Sequence, residues 1–338
     1  MDTLKPICII PARGGSKRIP HKNIKSFCGK PIIAYSIQNA LESTIDSSFG
    51  NGYKTDFGAD SKANNKQSTI DSPKDFDKNP HQTSHEILCQ KSPKILSATP
   101  LFSTVPLFST VVVSTDDKKI AKIAQKYGAA VPFLRPSELA KDTTATLPVI
   151  THALDSLRSL GVDIREDTPI CVLYPTAPLI DSSDILRSFE VFLRYGCEYV
   201  FFANELPKNP LRGFTLESLQ NRKHTSKSNT KSSTNVSSVD FADSSAVCGT
   251  PQMLFSHYEG VRSQDLPPVY VDSGVLYWGR ASSFLAQKPI FSSYSRAIVL
   301  EPSRSQDIDT MSDWQLAKAK FLAKLHKTPK ITPPKPKK

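Results

Sequence analysis

Short apolar runs alternate with amphipathic stretches along most of this chain, and that alternation constrains the fold more than any other feature. Residues 5–10 and 107–114 are rich in Ile and Val, which is typical of buried strands. The same pattern predicts strands at 130–134, 170–174, 198–203, 275–278 and 298–300, and helices at 31–43, 117–127, 144–160, 183–195 and 312–325. Strands separated by helices favour an α/β fold with a parallel, doubly wound sheet.

Two polar stretches interrupt this rhythm, and both are predicted to be insertions. Residues 45–105 stand where a turn of a few residues would suffice, and residues 220–247 are similarly rich in Ser, Asn and Lys. ProLeuPheSerThrVal occurs in tandem at 100–105 and 106–111, and only the second copy is needed to enter the next strand. The interpretation is a single domain over 1–325 with two insertions.

The net charge of +11 is concentrated outside the predicted elements. The Lys/Pro-rich tail from 326 to 338 contains five Lys and no acid, and residues 221–239 contain four basic side chains and no acid. Basic residues in polar, low-complexity segments do not form a patch on a folded face, so we expect a disordered tail and no nucleic-acid binding.

Cellular location is predicted from the cysteines and the apolar runs. None of the six cysteines forms a C-x-x-C pair, and they are too sparse for a disulfide scaffold. No apolar run reaches 18 residues, and the N-terminus lacks the pattern of a secretion signal. The expectation is a cytoplasmic protein without a membrane segment.

The loop after the first strand contains the densest group of chemically informative residues, Arg13, Gly14, Gly15, Ser16, Lys17 and Arg18, followed by Lys22 and Asn23. Glycines let backbone N–H groups approach an anion, and cations beside them neutralise a polyphosphate. The loop also lies at the carboxyl end of a strand, where open α/β sheets bind ligands. It is neither G-x-G-x-x-G nor a P-loop, and its spacing alone leaves a basic surface turn equally open.

Six blocks in order give the chain a specific resemblance. They are IleIleProAlaArgGlyGlySerLysArgIlePro at 9–20, ValSerThrAsp at 113–116, LeuArgProSerGluLeuAla at 134–140, AspThrThr at 142–144, TyrProThrAlaProLeu at 174–179 and SerGlnAspIleAspThr at 305–310. Together they resemble the sialic-acid-type cytidylyltransferases, the CMP-N-acetylneuraminate synthetase family. The resemblance implies a Rossmann-like nucleotide-diphospho-sugar transferase fold, mainly a parallel sheet with flanking helices, and a small dimerisation and sugar-binding extension.

The family's reaction joins CTP to a nine-carbon 2-keto sugar acid (a nonulosonic acid) and releases pyrophosphate. The resemblance assigns Arg13, Ser16, Lys17 and Lys22 to the triphosphate, with Lys17 catalytic, and Arg135 to the cytosine and ribose. The other nucleotide-binding residues that it implies are Gly14, Gly15 and Asn23. It also implies Mg²⁺, a homodimer and a place in flagellin glycosylation.

Asp307 and Asp309 are the candidate Mg²⁺ ligands and catalytic carboxylates. Two carboxylates at i and i+2 on an extended segment face the same side, so both can reach one ion. The alternative is an acidic cap before the helix at 312–325. Asp116 is a weaker candidate, because an Asp after a strand is also a common helix N-cap.

For the sugar, the resemblance points to Arg262, Arg212, Tyr277 and Tyr174. A bidentate Arg–carboxylate pair suits a 2-keto acid. LeuTyrProThrAlaProLeu at 173–179, ArgSerGlnAspLeu at 262–266 and AspSerGly with TyrTrpGly in 272–279 are closer to the pseudaminic acid subgroup than to the N-acetylneuraminate enzymes. The alternatives are a CMP-N-acetylneuraminate or CMP-legionaminate synthetase and a non-catalytic nucleotide-binding relic.

Overall fold

The structure is a computed structural model, and it describes residues 5–46, 104–218 and 249–327. The strands within these ranges are β1 (Ile7–Pro11), β2 (Ser26–Phe27), β3 (Lys30–Pro31), β4 (Thr44–Asp46), β5 (Thr104–Pro106), β6 (Thr110–Ser114), β7 (Pro169–Leu173), β8 (Tyr199–Glu205), β9 (Phe214–Ser218), β10 (Gly249–Met253), β11 (Tyr270–Arg280) and β12 (Ser295–Val299). The helices are α1 (Ile32–Leu41), α2 (Lys118–Lys126), α3 (Thr146–Ser159), α4 (Ser182–Tyr195), α5 (Ala281–Leu285) and α6 (Met311–Lys327). No helix in this part of the chain is long and apolar enough to cross a membrane.

A six-stranded sheet in the order β12-β8-β11-β7-β1-β6 forms the centre of the molecule. Its strands are parallel except β11, which runs antiparallel to both β7 and β8. The predicted α/β fold with a mainly parallel sheet is confirmed, whereas a wholly parallel sheet is wrong. β8 and β11 are neighbours in the sheet and run in opposite directions, an arrangement that requires no crossover between them.

Helices cover both faces of this sheet, and the strands alternate between the two cores. Cys8 and Ile10 of β1 pack toward α1, α2 and α4, whereas Ile7 and Ile9 pack toward α3 and α5. Burial on both faces explains why the strands read as continuous apolar runs. A third apolar cluster joins the segment after β1 to α6 and contains Ile19, Phe27, Ile32, Tyr35, Ile308, Trp314 and Ala317.

One predicted strand, at 130–134, does not form. Only Ala130 joins the sheet, where its N–H donates to Val111 O at 2.8 Å and its carbonyl accepts from Val113 N at 2.9 Å. Pro132 then lacks an N–H, so the pairing cannot continue. The predicted helices form with ends shifted by up to two residues.

A short antiparallel pair joins the two ends of the first predicted insertion. Asp46 of β4 lies opposite Thr104 of β5, so the last described residue before the insertion and the first one after it are paired. Thr104 and Val105 belong to the first copy of the tandem repeat, so the predicted boundary at 45–105 falls inside paired strands. The rest of this insertion, all of the second insertion at 220–247 and nearly all of the Lys/Pro-rich tail lie outside the described residues.

Candidate active site

A cleft of about 210 Å³ opens at the carboxyl ends of β1 and β7. Most of the predicted nucleotide-binding residues converge on it. Its lining comprises Pro11, Arg13, Ser16, Lys17, Arg18, Ile19, Lys22, Asn23, Arg135, Thr144, Ala145, Thr146, Val149, Tyr174, Pro175, Thr176 and Asp309.

The loop after β1 is held against the start of α2. Gly14 N donates to Asp116 Oδ1 at 2.9 Å, and a Cβ at Gly14 would lie 2.9 Å from Asp117 Cβ. Gly15 has no atom within 4 Å of such a Cβ, so close approach requires glycine only at Gly14. Asn23, which is buried, donates to Arg13 O at 2.9 Å and closes the loop from below.

Asp116 and Asp117 differ in role from the sequence-based expectation. Asp117, not Asp116, is the N-cap of α2, where its Oδ1 accepts from Lys119 N at 2.6 Å. Asp116 instead binds the Gly14 N–H, so it positions the loop.

The loop's cations are divided between two carboxylates. Arg13 and Lys17 both bind Asp142, with Lys17 Nζ 2.7 Å from its Oδ2. Arg18 Nη2 lies 3.0 Å from Asp309 Oδ2, and Lys22 Nζ lies 3.6 Å from the other oxygen. Four clustered cations repel one another, and pairing them with two carboxylates reduces this repulsion at the cleft.

Arg135 forms the opposite side of the cleft and is almost fully buried. Its Nη2 donates to Ser114 O at 2.5 Å and its Nε to Ser114 Oγ at 3.2 Å, which fixes the guanidinium at the end of β6. Burial lowers the pKa of Arg135 to about 10, and the Asp116 carboxylate opposes that shift. The side chain therefore remains a cation at neutral pH.

The acidic pair flanks a buried apolar side chain. Ile308 is fully buried in the third cluster, so the flanking Asp307 and Asp309 side chains point away from it. Partial burial and the nearby Asp309 carboxylate raise the pKa of Asp307, while Lys22 opposes the shift. A bound cation would relieve the repulsion between these two carboxylates.

A magnesium ion fits this donor set. Mg²⁺ typically binds one or two carboxylates together with substrate phosphates, rather than a complete protein cage. Within the described ranges no group of three His, Cys, Asp or Glu could hold a metal by itself. Asp307 and Asp309 would therefore hold the ion only together with the nucleotide, and Asp309 would release Arg18 and Lys22.

Tyr174 and Tyr277 lie next to each other at the cleft edge of the sheet. Tyr174 lines the cleft and its hydroxyl lies 2.6 Å from Thr146 Oγ1, at the start of α3. Tyr277 is buried behind it, with ring centroids 5.8 Å apart, and donates to Asp272. Burial raises the pKa of both phenols, so both remain neutral donors.

The two predicted sugar-binding arginines do not line this cleft. Arg212 Nη1 donates to Ser263 Oγ at 3.2 Å, and Arg262, the neighbour of that serine, binds Asp265 at 2.7 Å. The structure thus places Arg212 near Arg262 in the segment between β8 and β11, apart from the nucleotide residues.

Sequence analysis gave no site role to Arg18 and Thr146, which line the cleft, or to Asp142, which pairs with the lining side chains of Arg13 and Lys17. Asp142 is 129 positions from Arg13, and no local pattern relates the two. Arg18 had a signal, because it belongs to the basic loop. Thr146 has none beyond its place in the first turn of a predicted helix.

Comparison with known families identifies the family of the chain. The family model described as Cytidylyltransferase matches residues 7–48 and 102–236, ranges that include the basic loop, Arg135, Asp142 and Tyr174. The chain belongs to the cytidylyltransferase family. It is therefore an enzyme of the nucleotidyltransferase class. The matched ranges leave out most of the segment between β4 and β5.

Two individual relatives match almost the whole chain, and a third matches part of it. A protein from Campylobacter jejuni subsp. jejuni serotype O:23/36 named pseudaminic acid cytidylyltransferase is 30% identical over 93% of this chain and 95% of its own. A Legionella pneumophila protein named CMP-N,N'-diacetyllegionaminic acid synthase is 24% identical over 93% and 94%. A Campylobacter coli protein named post-translational flagellin modification protein B is 29% identical over 60% of each chain.

Proposed function

We propose that the protein transfers the cytidylyl group of CTP to pseudaminic acid, a nine-carbon 2-keto sugar acid, and releases pyrophosphate. The observation that carries the proposal is the convergence of the basic loop, Arg135 and Tyr174 on one cleft at the carboxyl ends of the parallel strands. The similarity to the Campylobacter jejuni protein supports the choice of sugar.

The residues of the cleft divide the work of the transfer. Arg13, Ser16, Lys17 and Lys22 would bind the triphosphate and stabilise charge that builds up on the leaving pyrophosphate. Arg135, held rigidly by Ser114, would orient the nucleoside. The anomeric hydroxyl of the sugar then attacks the α-phosphorus, the bond to the β-phosphate oxygen breaks, and pyrophosphate leaves.

We infer that Mg²⁺ is the cofactor and that Asp307 and Asp309 hold it. The ion would supply positive charge between the phosphate oxygens. The charge of Asp309 raises the pKa of Asp307, so the two carboxylates repel each other, which suits a shared cation. Lys22 donates to Ile308 O at 2.6 Å, so it ties the carboxylate segment to the phosphate loop.

For the sugar, Tyr174 is the candidate contact that the cleft itself presents, with Tyr277 supporting its ring from behind. Arg212 and Arg262 would reach the sugar carboxylate from the segment between β8 and β11 only if that segment lies over a cleft. A partner subunit could provide such an arrangement.

A homodimer is the second part of this proposal. Six exposed apolar side chains lie on or beside the paired strands β9 and β10 and at the start of β11: Phe214, Leu216, Leu254, Phe255, Tyr270 and Val271. Large exposed apolar patches mark protein interfaces. Sedimentation should show a dimer that the double variant Phe214→Glu and Leu216→Glu dissociates, and a monomeric wild-type protein at micromolar concentration would refute this part.

Since CTP is the substrate, we place the protein in the cytoplasm and its product upstream of flagellin glycosylation.

The substrate is tested by supplying purified protein with CTP, Mg²⁺ and one sugar acid at a time, and measuring pyrophosphate. We expect kcat/KM to be highest with pseudaminic acid. A higher value with N,N'-diacetyllegionaminic acid would favour the alternative that the Legionella pneumophila relative suggests. A higher value with N-acetylneuraminic acid would favour the remaining enzyme alternative, and no pyrophosphate with any of the three acids would leave the non-catalytic relic.

A further inference from the structure

Asp142 lies at the mouth of the cleft, and its carboxylate occupies the same two cations that a triphosphate would need. Arg13 Nη1 donates to Oδ1, and Lys17 Nζ lies 2.7 Å from Oδ2, so each oxygen has one cation. This arrangement resembles the way in which two cations bind neighbouring oxygens of a phosphate.

The carboxylate is free to move away from these cations. The Asp142 side chain is 37% exposed, and it lies in the turn between Ser137–Ala140 and the start of α3. Hydrogen bonds from Lys17 and then Arg13 lower its pKa, so it is an anion at neutral pH. Its described hydrogen-bond donors are those two side chains, so it leaves no buried polar group unpaired when it swings out.

Asp142 differs in this respect from Asp309, the other carboxylate that pairs with loop cations. Asp309 lies beside Asp307 and can exchange Arg18 and Lys22 for a metal ion. When a triphosphate binds Arg13 and Lys17, the Asp142 carboxylate loses both cations and is left in solvent. Its contacts therefore oppose phosphate binding at the loop.

We propose that Asp142 is an internal competitor of the polyphosphate: it holds Arg13 and Lys17 before CTP binds, yields them to the triphosphate, and takes them back as pyrophosphate leaves. This inference rests on the proposed function and adds a positioning residue for product release. The pairing keeps two flexible side chains ordered close to where the phosphates bind, at the cost of some affinity.

The size of the effect follows from the weakness of exposed ion pairs. Such pairs shift an equilibrium by a factor of a few, and a competing state lowers apparent affinity by the fraction of time it is occupied. Asp142→Asn should therefore bind inorganic pyrophosphate about two- to fivefold more tightly than the wild type.

The experiment measures pyrophosphate binding by calorimetry with the full chain, at one fixed ionic strength. Asp163→Asn is the matched control, because Asp163 is an exposed carboxylate paired with Arg165 at 3.6 Å, and its loss changes the net charge equally. In the forward reaction, Asp142→Asn should also lower KM for CTP and the inhibition constant of pyrophosphate by the same factor, without raising kcat.

Equal or weaker pyrophosphate binding by Asp142→Asn than by the wild type would overturn the inference. So would equal tightening in Asp163→Asn, which would show a general charge effect. A residue with only a structural role would lower the melting temperature and would not tighten binding. Failure of the wild type to turn over CTP with any sugar acid would instead refute the proposed function, while the binding measurement still decides the role of Asp142.

Discussion

Gly14 lies where the loop after β1 crosses the first residues of α2, and it shows how one side chain sets the shape of the site. We predict that Gly14→Ala is destabilised by about 1–3 kcal/mol, because its Cβ would meet Asp117 Cβ at 2.9 Å and force the loop outward. Gly15→Ala is the matched control and should change stability by less than about 0.5 kcal/mol. Melting temperature and kcat/KM for CTP check this, and equal values in the two variants would contradict it.

Lys17 projects its ammonium into the cleft with 84% of its side chain exposed, so it contributes little to packing. We predict that Lys17→Ala loses roughly 10- to 150-fold in kcat/KM for CTP, since a charge-assisted contact to phosphate contributes about 1.5–3 kcal/mol. Arg13→Ala should behave similarly. Lys126→Ala, at the exposed far end of α2, should match the wild type. Unchanged kcat/KM in Lys17→Ala would place the triphosphate elsewhere.

Among single residues, the sequence predicts those whose functional neighbours are close to them in the chain. The basic loop and the Asp307/Asp309 pair are visible because their charges are close in the chain, and burial of Ile308 between the carboxylates follows from strand alternation. Asp142 is not visible, because its partners are separated from it by more than a hundred residues.

The loop between β12 and α6, which carries both candidate metal ligands, is fixed by a cluster of charges at the start of α4. Arg304 bonds to Asp181 at 2.8 Å and also to Asp184, and Lys324 of α6 lies 3.0 Å from Asp181. Asp181 is also the N-cap of α4. The N-terminus of α4 therefore anchors both the loop before α6 and α6 itself.

This cluster makes stability depend on pH in a defined direction. Burial alone would raise the pKa of Asp181, but hydrogen bonds from Ser183 and Lys324 and the charge of Arg304 outweigh it and lower the pKa to about 2. A lowered carboxyl pKa stabilises the fold above the unfolded value near 3.8, and the contribution is lost as the pH falls toward 2.

We therefore predict that Asp181→Asn, which retains a capping side chain, melts below the wild type at pH 6–7, and that the difference shrinks between about pH 4 and pH 2. Melting curves at several pH values test this, with Asp163→Asn as the exposed control. Asp184 has a pKa raised by burial and acts in the opposite sense, so only the Asp181 variant isolates the effect. A constant difference across the pH range would contradict the prediction.

Elements whose apolar pattern is strong were predictable, and those defined by their partner were not. The direction of β11 depends on how the chain returns from β8, which its buried residues 275–278 do not encode. The β9–β10 pair was missed because Phe214, Thr215 and Leu216 of β9 are exposed, and Pro251 in β10 disfavours a strand. The strand predicted at 130–134 does not form although its run is apolar, because Pro132 has no N–H to donate.

Over the described part of the molecule, the core sheet and the lining of the cleft are formed by residues outside the segment between β4 and β5. All candidate site residues lie outside 47–103, and Asp46 and Thr104 are already paired. We predict that replacing 47–103 by Asn-Gly, a two-residue hairpin turn, changes the free energy of unfolding by about 1–2 kcal/mol at most and preserves activity.

A second deletion sharpens this test. Removing 46–105 takes away most of β5 as well, so it should be less stable than the 47–103 replacement. Pyrophosphate release and melting temperature are measured for both variants beside the full chain. A folded but inactive 47–103 replacement would show that the segment contributes to the site, and an unfolded one would show that it contributes to the core.

The central claim, that this cleft performs cytidylyl transfer, is tested most directly by pyrophosphate release from CTP and pseudaminic acid in wild type and Asp309→Asn. We predict that the wild type releases one pyrophosphate for each CMP-sugar formed, in a Mg²⁺-dependent manner. Asp309→Asn should release almost none while melting at a similar temperature, since an amide ligates Mg²⁺ poorly and leaves Arg18 and Lys22 without a carboxylate. Near-normal release by Asp309→Asn at limiting Mg²⁺ would contradict the account.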